Sequence, residues 1–122
     1  MSAGTALIVD DDAAVRLVTS EMLKRIDWVA ESAQTGAQAL EKLGTGVFDV
    51  VFLDLAMPDM GGDEVYAQVR QSYPGQHVVF MTGYSKEELE DLDNPCTWVL
   101  TKPFTLRNLT SLLEQVGVSG SR

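Results

Sequence analysis

Phe48-Asp49-Val50-Val51-Phe52-Leu53-Asp54-Leu55-Ala56-Met57-Pro58 sets one carboxylate, Asp54, among the apolar residues Val50, Val51, Phe52, Leu53 and Leu55. A run this apolar and rich in Val and Phe predicts a strand buried on both faces, as in a parallel sheet. Met57-Pro58 stops it, because proline has no N–H to donate within a central strand. Asp54 therefore stands where a buried strand runs out, at the rim where open α/β sheets bind ligands. A carboxylate desolvated there is costly unless a cation meets it.

Upstream, Ala6-Leu7-Ile8-Val9 predicts a first buried strand, followed at once by Asp10-Asp11-Asp12. Asp11 or Asp12 then caps a helix by accepting from free N–H groups of its first turn. Its apolar stripe is read at Val15, Val18, Met22, Leu23 and Ile26. Trp28–Ala33 has the mixed polarity of an edge strand. Thr35 and Gln38 have the spacing of a capping box, opening a helix through Ala39, Leu40 and Leu43 that Gly44 and Gly46 end. Downstream of the central strand, Asp59-Met60-Gly61-Gly62 predicts a loop, and Val65, Val69, Tyr66 and Tyr73 line a helix closed by Pro74-Gly75. Val78-Val79-Phe80-Met81 predicts a fourth strand ending at Thr82-Gly83. Ser85-Lys86-Glu87-Glu88 opens a short helix through Leu89 and Leu92, which Asn94-Pro95 breaks. Trp98-Val99-Leu100 is a fifth strand ending at Thr101-Lys102-Pro103, and Thr105 caps a last helix through Leu106, Leu109, Leu112, Leu113 and Val116. Gly117 suits the left-handed end of that helix. The tail over 117–122 is mostly small and polar.

Strands alternating with helices predict an α/β fold, a doubly wound five-stranded parallel sheet of flavodoxin-like type. Right-handed crossovers leave few topologies, and the order 2-1-3-4-5 is favoured, with five helices of which the fourth is short. The 122 residues, 45% of them hydrophobic, suffice for one domain with a core over about residues 5–116. A net charge of −9 argues against a nucleic-acid surface and against docking on anionic lipid. The lone Cys96 can form no internal disulfide, which suits a cytoplasmic location. No apolar run approaches the ~18 residues of a membrane span.

Four strand ends bring chemistry to one rim: Asp10 and Asp11 after the first, Asp54 on the third, Thr82 after the fourth and Lys102 after the fifth. Converging carboxylates repel, so either some are protonated or a divalent cation sits among them, and an all-oxygen set favours Mg²⁺, Mn²⁺ or Ca²⁺ over zinc. A carboxylate oxygen beside such an ion can attack phosphorus and form an acyl phosphate. Lys102 and the Thr82 hydroxyl are donors suited to the spreading charge of that transition state.

Leu7-Ile8-Val9-Asp10-Asp11-Asp12, Asp54 with Met57-Pro58 and Gly62, Met81-Thr82-Gly83 and Lys102-Pro103-Phe104 together resemble the response-regulator receiver domain of two-component signalling. The resemblance implies that Asp54 is the phospho-acceptor. It implies that Asp11, Asp54 and the backbone carbonyl of Ala56 ligate Mg²⁺, or Mn²⁺ in its place, with Asp10 acting through water. Lys102 would pair with the phosphoryl group and Thr82 would hydrogen-bond it. The implied donor is a phosphohistidine on a histidine kinase or histidine phosphotransfer domain, with room for a weak dimer. No enzymatic activity is implied beyond the domain's own phosphorylation and dephosphorylation. Met81-Thr82-Gly83-Tyr84-Ser85 is similar to receivers attached to hybrid sensor kinases. The family's switching aromatic, three residues before the lysine, is here Val99, and alternation turns Trp98 to the opposite face. A smaller or differently routed conformational response through Thr82, Val99 and Trp98 is therefore expected. Two other functions compete. Asp10-x-Asp12 also resembles haloacid-dehalogenase-type phosphatases, with Asp10 as nucleophile and Asp12 as general acid. A docking module independent of phosphorylation is the other.

Overall fold

The computed structural model describes residues 3–55, 61–83 and 94–117. Its strands are β1 (Gly4–Val9), β2 (Trp28–Ala33), β3 (Val50–Asp54), β4 (His77–Thr82) and β5 (Thr97–Thr101). They pair in parallel in the order β2-β1-β3-β4-β5, so β3 is central and β2 and β5 are the edges, as expected. The helices among the described residues are α1 (Ala13–Arg25), α2 (Gly36–Thr45), α3 (Gly62–Ser72) and α4 (Leu106–Val116). The expected short helix through Leu89 and Leu92 lies outside the described residues, as do Ala56, Met57-Pro58, Tyr84 and the tail beyond Gly117.

Period-2 alternation along each strand divides the core into two layers. Ala6, Ile8, Phe52, Val79, Met81 and Leu100 face α1 and α4, meeting Leu23, Leu109, Leu112 and Leu113. Leu7, Val9, Val51, Leu53, Val78 and Phe80 face α2 and α3, meeting Ala39, Leu43, Val65 and Val69. All five residues of β3 are buried, which accounts for its nearly continuous apolar sequence. Trp98 lies in the first layer and Val99 in the second, so the expected opposition of those two side chains holds.

Three local expectations change. Val18 is not on the buried stripe of α1: it is 51% exposed, and Thr19 is buried in its place. At 3.6 residues per turn Val18 stands about 100° from Thr19, which falls in line with Val15, Leu23 and Ile26. Gly44 lies inside α2, whose cap is Gly46. The Thr35 hydroxyl accepts from the Gln38 N–H as the capping box requires, but the Gln38 side chain accepts from the Gln34 N–H. The complete reciprocal box is at α4, between Thr105 and Asn108, and Gly117 ends that helix at φ 79°.

At the amino end of the sheet, Arg70 ties α3 to β4 and β5. Its Nη1 donates to Gln76 O at 2.6 Å, its Nη2 to Cys96 O at 2.8 Å and Thr97 Oγ1 at 3.0 Å, and its Nε to the Tyr66 hydroxyl at 3.1 Å. The guanidinium also lies over the Tyr66 ring, 5.1 Å from its centroid. Arg70→Met would strand these acceptors, and charge-assisted bonds to partly buried groups are worth about 2–3 kcal/mol in such losses. Urea unfolding should show that destabilisation with the denaturant slope unchanged, because the defect is local and distant from the acidic rim.

Candidate functional site: an acidic rim with one lysine

β1 and β3 are neighbours and run in the same direction, so the residues that follow them emerge side by side. Asp10 continues β1, its N–H donating to Ala33 O at 3.2 Å across to β2. Asp54 is the last residue of β3 and pairs in register with Met81 of β4, one residue before Thr82. Carboxylate oxygens of Asp10, Asp11 and Asp54 all lie within 4.8 Å of one another. Asp10 is 1% exposed and Asp54 6%, whereas Asp11 is exposed.

Lys102 reaches this cluster from the end of β5. Its Nζ donates to Asp10 Oδ2 at 3.1 Å and to Asp54 Oδ1 at 3.5 Å. Its own N–H donates to Thr82 O at 2.7 Å, which anchors the start of the Lys102-Pro103 turn to the end of β4. The Lys102–Pro103 peptide is cis. Burial is the largest single influence on the ammonium and lowers its pKa. The hydrogen bond to Asp10 and the charges of Asp54 and Asp10 together outweigh it, so the pKa lies above its ordinary value and Lys102 stays charged through the neutral range. Thr82 is 4% exposed, on the strand between Asp54 and Lys102.

The three acids are not equivalent. Asp10 Oδ1 accepts from Asp12 N–H at 2.9 Å and its Oδ2 takes Lys102, so both oxygens are engaged. Asp12 points back at α1, where Oδ1 accepts from Ala14 N–H at 2.9 Å, the ordinary work of an N-cap. Asp11 makes no hydrogen bond or ion pair among the described residues and projects its carboxylate beside the others. Three acidic side chains thus converge on one ammonium. Two like charges this close cost about 3–4 kcal/mol at an effective dielectric near 20. A small, hard divalent cation relieves that repulsion, and an oxygen-only set of which one member is exposed to solvent fits Mg²⁺, which retains several waters. Ala56, whose carbonyl was the remaining expected ligand, lies outside the described residues.

An apolar groove of about 460 Å³ opens beside Lys102, between Val15, Val18 and Met22 of α1 and Phe104 of the turn before α4. Leu17 and Val18 are exposed along α1. Arg16, on the next turn of α1, donates from Nη1 to Asp10 O at 2.7 Å. Arg16 escaped the sequence reading; its signal is an arginine one turn past the N-cap, within reach of the acidic turn.

A five-stranded doubly wound sheet in this order, with acids and a lysine gathered on its carboxyl rim, places the chain among CheY-like proteins of flavodoxin-like fold. The family is the response regulator receiver domain of two-component systems, whose model matches residues 6–114, and the chain belongs to it. Among solved structures, the chemotaxis protein CheY4 of Vibrio cholerae superposes with a TM-score of 0.85 at 29% identity, covering 94% of this chain and 99% of that one. The response regulator TrrA of Thermotoga maritima, in complex with Mg²⁺-BeF, gives 0.82 at 26% identity, covering 95% and 99%. The sensor kinase CckA of Brucella abortus is 30% identical over 92% of the chain, which spans 12% of that protein's length. The receiver protein CpdR of the same organism is 30% identical over 90% of the chain and 93% of its own length. No helix among the described residues is long and apolar enough to cross a membrane.

Proposed function

We propose that this receiver domain takes a phosphoryl group onto Asp54 from a phosphohistidine of a histidine kinase or a histidine phosphotransfer domain, in the cytoplasm, and that it has no other enzymatic activity. The observation that carries this reading is Lys102 Nζ held between Asp10 and Asp54 at 3.1 and 3.5 Å, inside a cluster of three carboxylates. Asp11 and Asp54, with the Ala56 carbonyl, would hold Mg²⁺ directly, and Asp10 would hold it through water. When bound, the ion neutralises charge on the phosphoryl oxygens.

An Asp54 carboxylate oxygen attacks phosphorus and the P–O bond forms as the P–N bond to the donor imidazole breaks. The electron pair leaves with the imidazole nitrogen. The attacking oxygen and the leaving nitrogen lie roughly in line. Lys102 then exchanges its bond to the Asp54 carboxylate for one to a phosphoryl oxygen, and the Thr82 hydroxyl donates to another. The apolar groove between α1 and Phe104 receives the donor protein, since it opens at the Lys102 end of the site and is lined by the exposed Val18. With Val99 packed against the α2/α3 layer and Trp98 against the other, the conformational response is smaller or routed differently from that of a receiver with an aromatic at position 99.

The phosphatase reading assigns the nucleophile to Asp10 and the acid to Asp12. Both are otherwise occupied, Asp10 by Asp12 N–H and Lys102 and Asp12 by the α1 cap. Incubation with a small acyl-phosphate donor and Mg²⁺, reductive trapping and mass mapping should place the modification on Asp54. A label on Asp10, or none under any divalent ion, overturns the proposal.

A further inference from the structure

We infer that Arg16 is a positioning residue for divalent-ion binding: its guanidinium clamps the peptide joining Asp10 to Asp11 and so sets how tightly the acidic rim holds Mg²⁺. The inference rests on the reading of that rim as a Mg²⁺ site.

The carbonyl that Arg16 Nη1 contacts at 2.7 Å belongs to the peptide between the two acids. Asp10 is 1% exposed, so that carbonyl stands at the end of a buried strand. The rest of the turn is held by its own residues: Asp12 N–H on the Asp10 carboxylate, Ala14 N–H on the Asp12 carboxylate and Arg16 N–H on Asp12 O at 3.1 Å. Rotation of the Asp10–Asp11 peptide would swing Asp11, and among the described residues no partner holds the Asp11 side chain. Its placement therefore depends on the backbone beneath it, which Arg16 grips on one side of Asp11 and the Asp10 carboxylate, through Asp12 N–H, on the other.

Two effects of Arg16 oppose each other. Its positive charge repels a cation, while its hydrogen bond holds a ligand in place. Arg16 is partly exposed, so solvent weakens its charge, but Nη1 lies 2.7 Å from Asp10 O and the guanidinium is therefore inside the Debye length of about 8 Å. Mg²⁺ demands near-octahedral geometry and tolerates little displacement of a ligand. Groups that hold metal ligands in place are typically worth about 10–100-fold in affinity. If Arg16 acts as a positioning residue, the lost grip on the ligand outweighs the relieved repulsion, and removal of a positive charge weakens the binding of a cation.

The test uses the full chain and the ion alone. Bound Mn²⁺ is counted by loss of the free-ion electron paramagnetic resonance signal, and Mg²⁺ by competition. Arg16→Met should weaken both ions about 10-fold. Arg16→Lys keeps the charge and one donor, and should fall between wild type and Arg16→Met. With a small acyl-phosphate donor, half-saturating Mg²⁺ should rise by the same factor while the rate at saturating Mg²⁺ stays near wild type. A folded Arg16→Met that binds Mn²⁺ as tightly as wild type, or more tightly, overturns the inference. If Arg16→Met does not fold, an Arg16→Lys variant with wild-type melting temperature and wild-type ion affinity overturns it equally. A wild-type chain that binds neither ion overturns the reading of the rim itself, a distinct result.

Discussion

Asp54→Asn should accept no phosphoryl group from a small acyl-phosphate donor or from a phosphohistidine protein, a loss of roughly a thousandfold or more, the scale on which removal of a nucleophile registers. The amide keeps the shape of the side chain but has no anionic oxygen to attack phosphorus. Its effect on ion-free stability is the sum of two opposed changes. Repulsion from Asp10 and Asp11 is relieved, while Lys102 loses the partner it holds at 3.5 Å and keeps Asp10 at 3.1 Å. Two like-charge contacts within 4.8 Å are relieved against one attraction lost at 3.5 Å, so ion-free stability should not fall. Stabilisation by added Mg²⁺ should disappear, because a ligand raises stability only through its preference for the folded state. Thermal melts with and without Mg²⁺, run beside phosphorylation assays, separate the two losses. Wild-type labelling of Asp54→Asn would move the chemistry to another residue.

Gly62 is the other position at which a small change should have a large effect. It opens α3 directly beneath the end of β3, and a Cβ there would strike the backbone: the Asp54 carbonyl oxygen, and the Leu55 Cα at 2.6 Å. Neither atom belongs to a side chain that could turn aside, so the helix or the strand must move. Overpacking of this kind costs about 1–3 kcal/mol and sometimes more, and Gly62→Ala should sit at the upper end of that range, with Gly62→Val beyond it. The displaced segment carries Asp54, so phosphorylation should slow along with the loss of stability. Denaturant unfolding and the labelling rate, measured on one preparation, check both. Wild-type stability in Gly62→Ala would mean that α3 can slide away from β3 at little cost.

The fold was legible because the strong signals agree. The apolar run of β3, the acids after β1 and the lysine after β5 all fall at strand ends, and a parallel sheet brings strand ends together whatever the loops do. Asp10, Asp11, Asp54 and Lys102 could be gathered on that ground alone. The misreading of α1 has an equally physical origin. That helix carries apolar residues on two sides, one packed on the sheet and one beside the groove, so a rule that follows apolar spacing chose Val18 over the polar Thr19. Thr19 is buried, and among the described residues its hydroxyl has no hydrogen-bond partner, a placement that composition gives no reason to expect. Arg16 and Arg70 were missed for a related reason. Each acts on main-chain carbonyls brought close by folding, and a carbonyl has no letter in the sequence.

Both indoles of the protein belong to the layer beneath α1 and α4: Trp28 is 3% exposed within it, and Trp98 packs at its edge with Nε1–H donating to His77 Nδ1 at 3.2 Å. Intrinsic emission is thus a one-sided optical reporter. It registers disturbance beneath α1 and α4 but is largely blind to repacking around Tyr66, Phe80 and Val99, where a label would have to be introduced before movement could be seen.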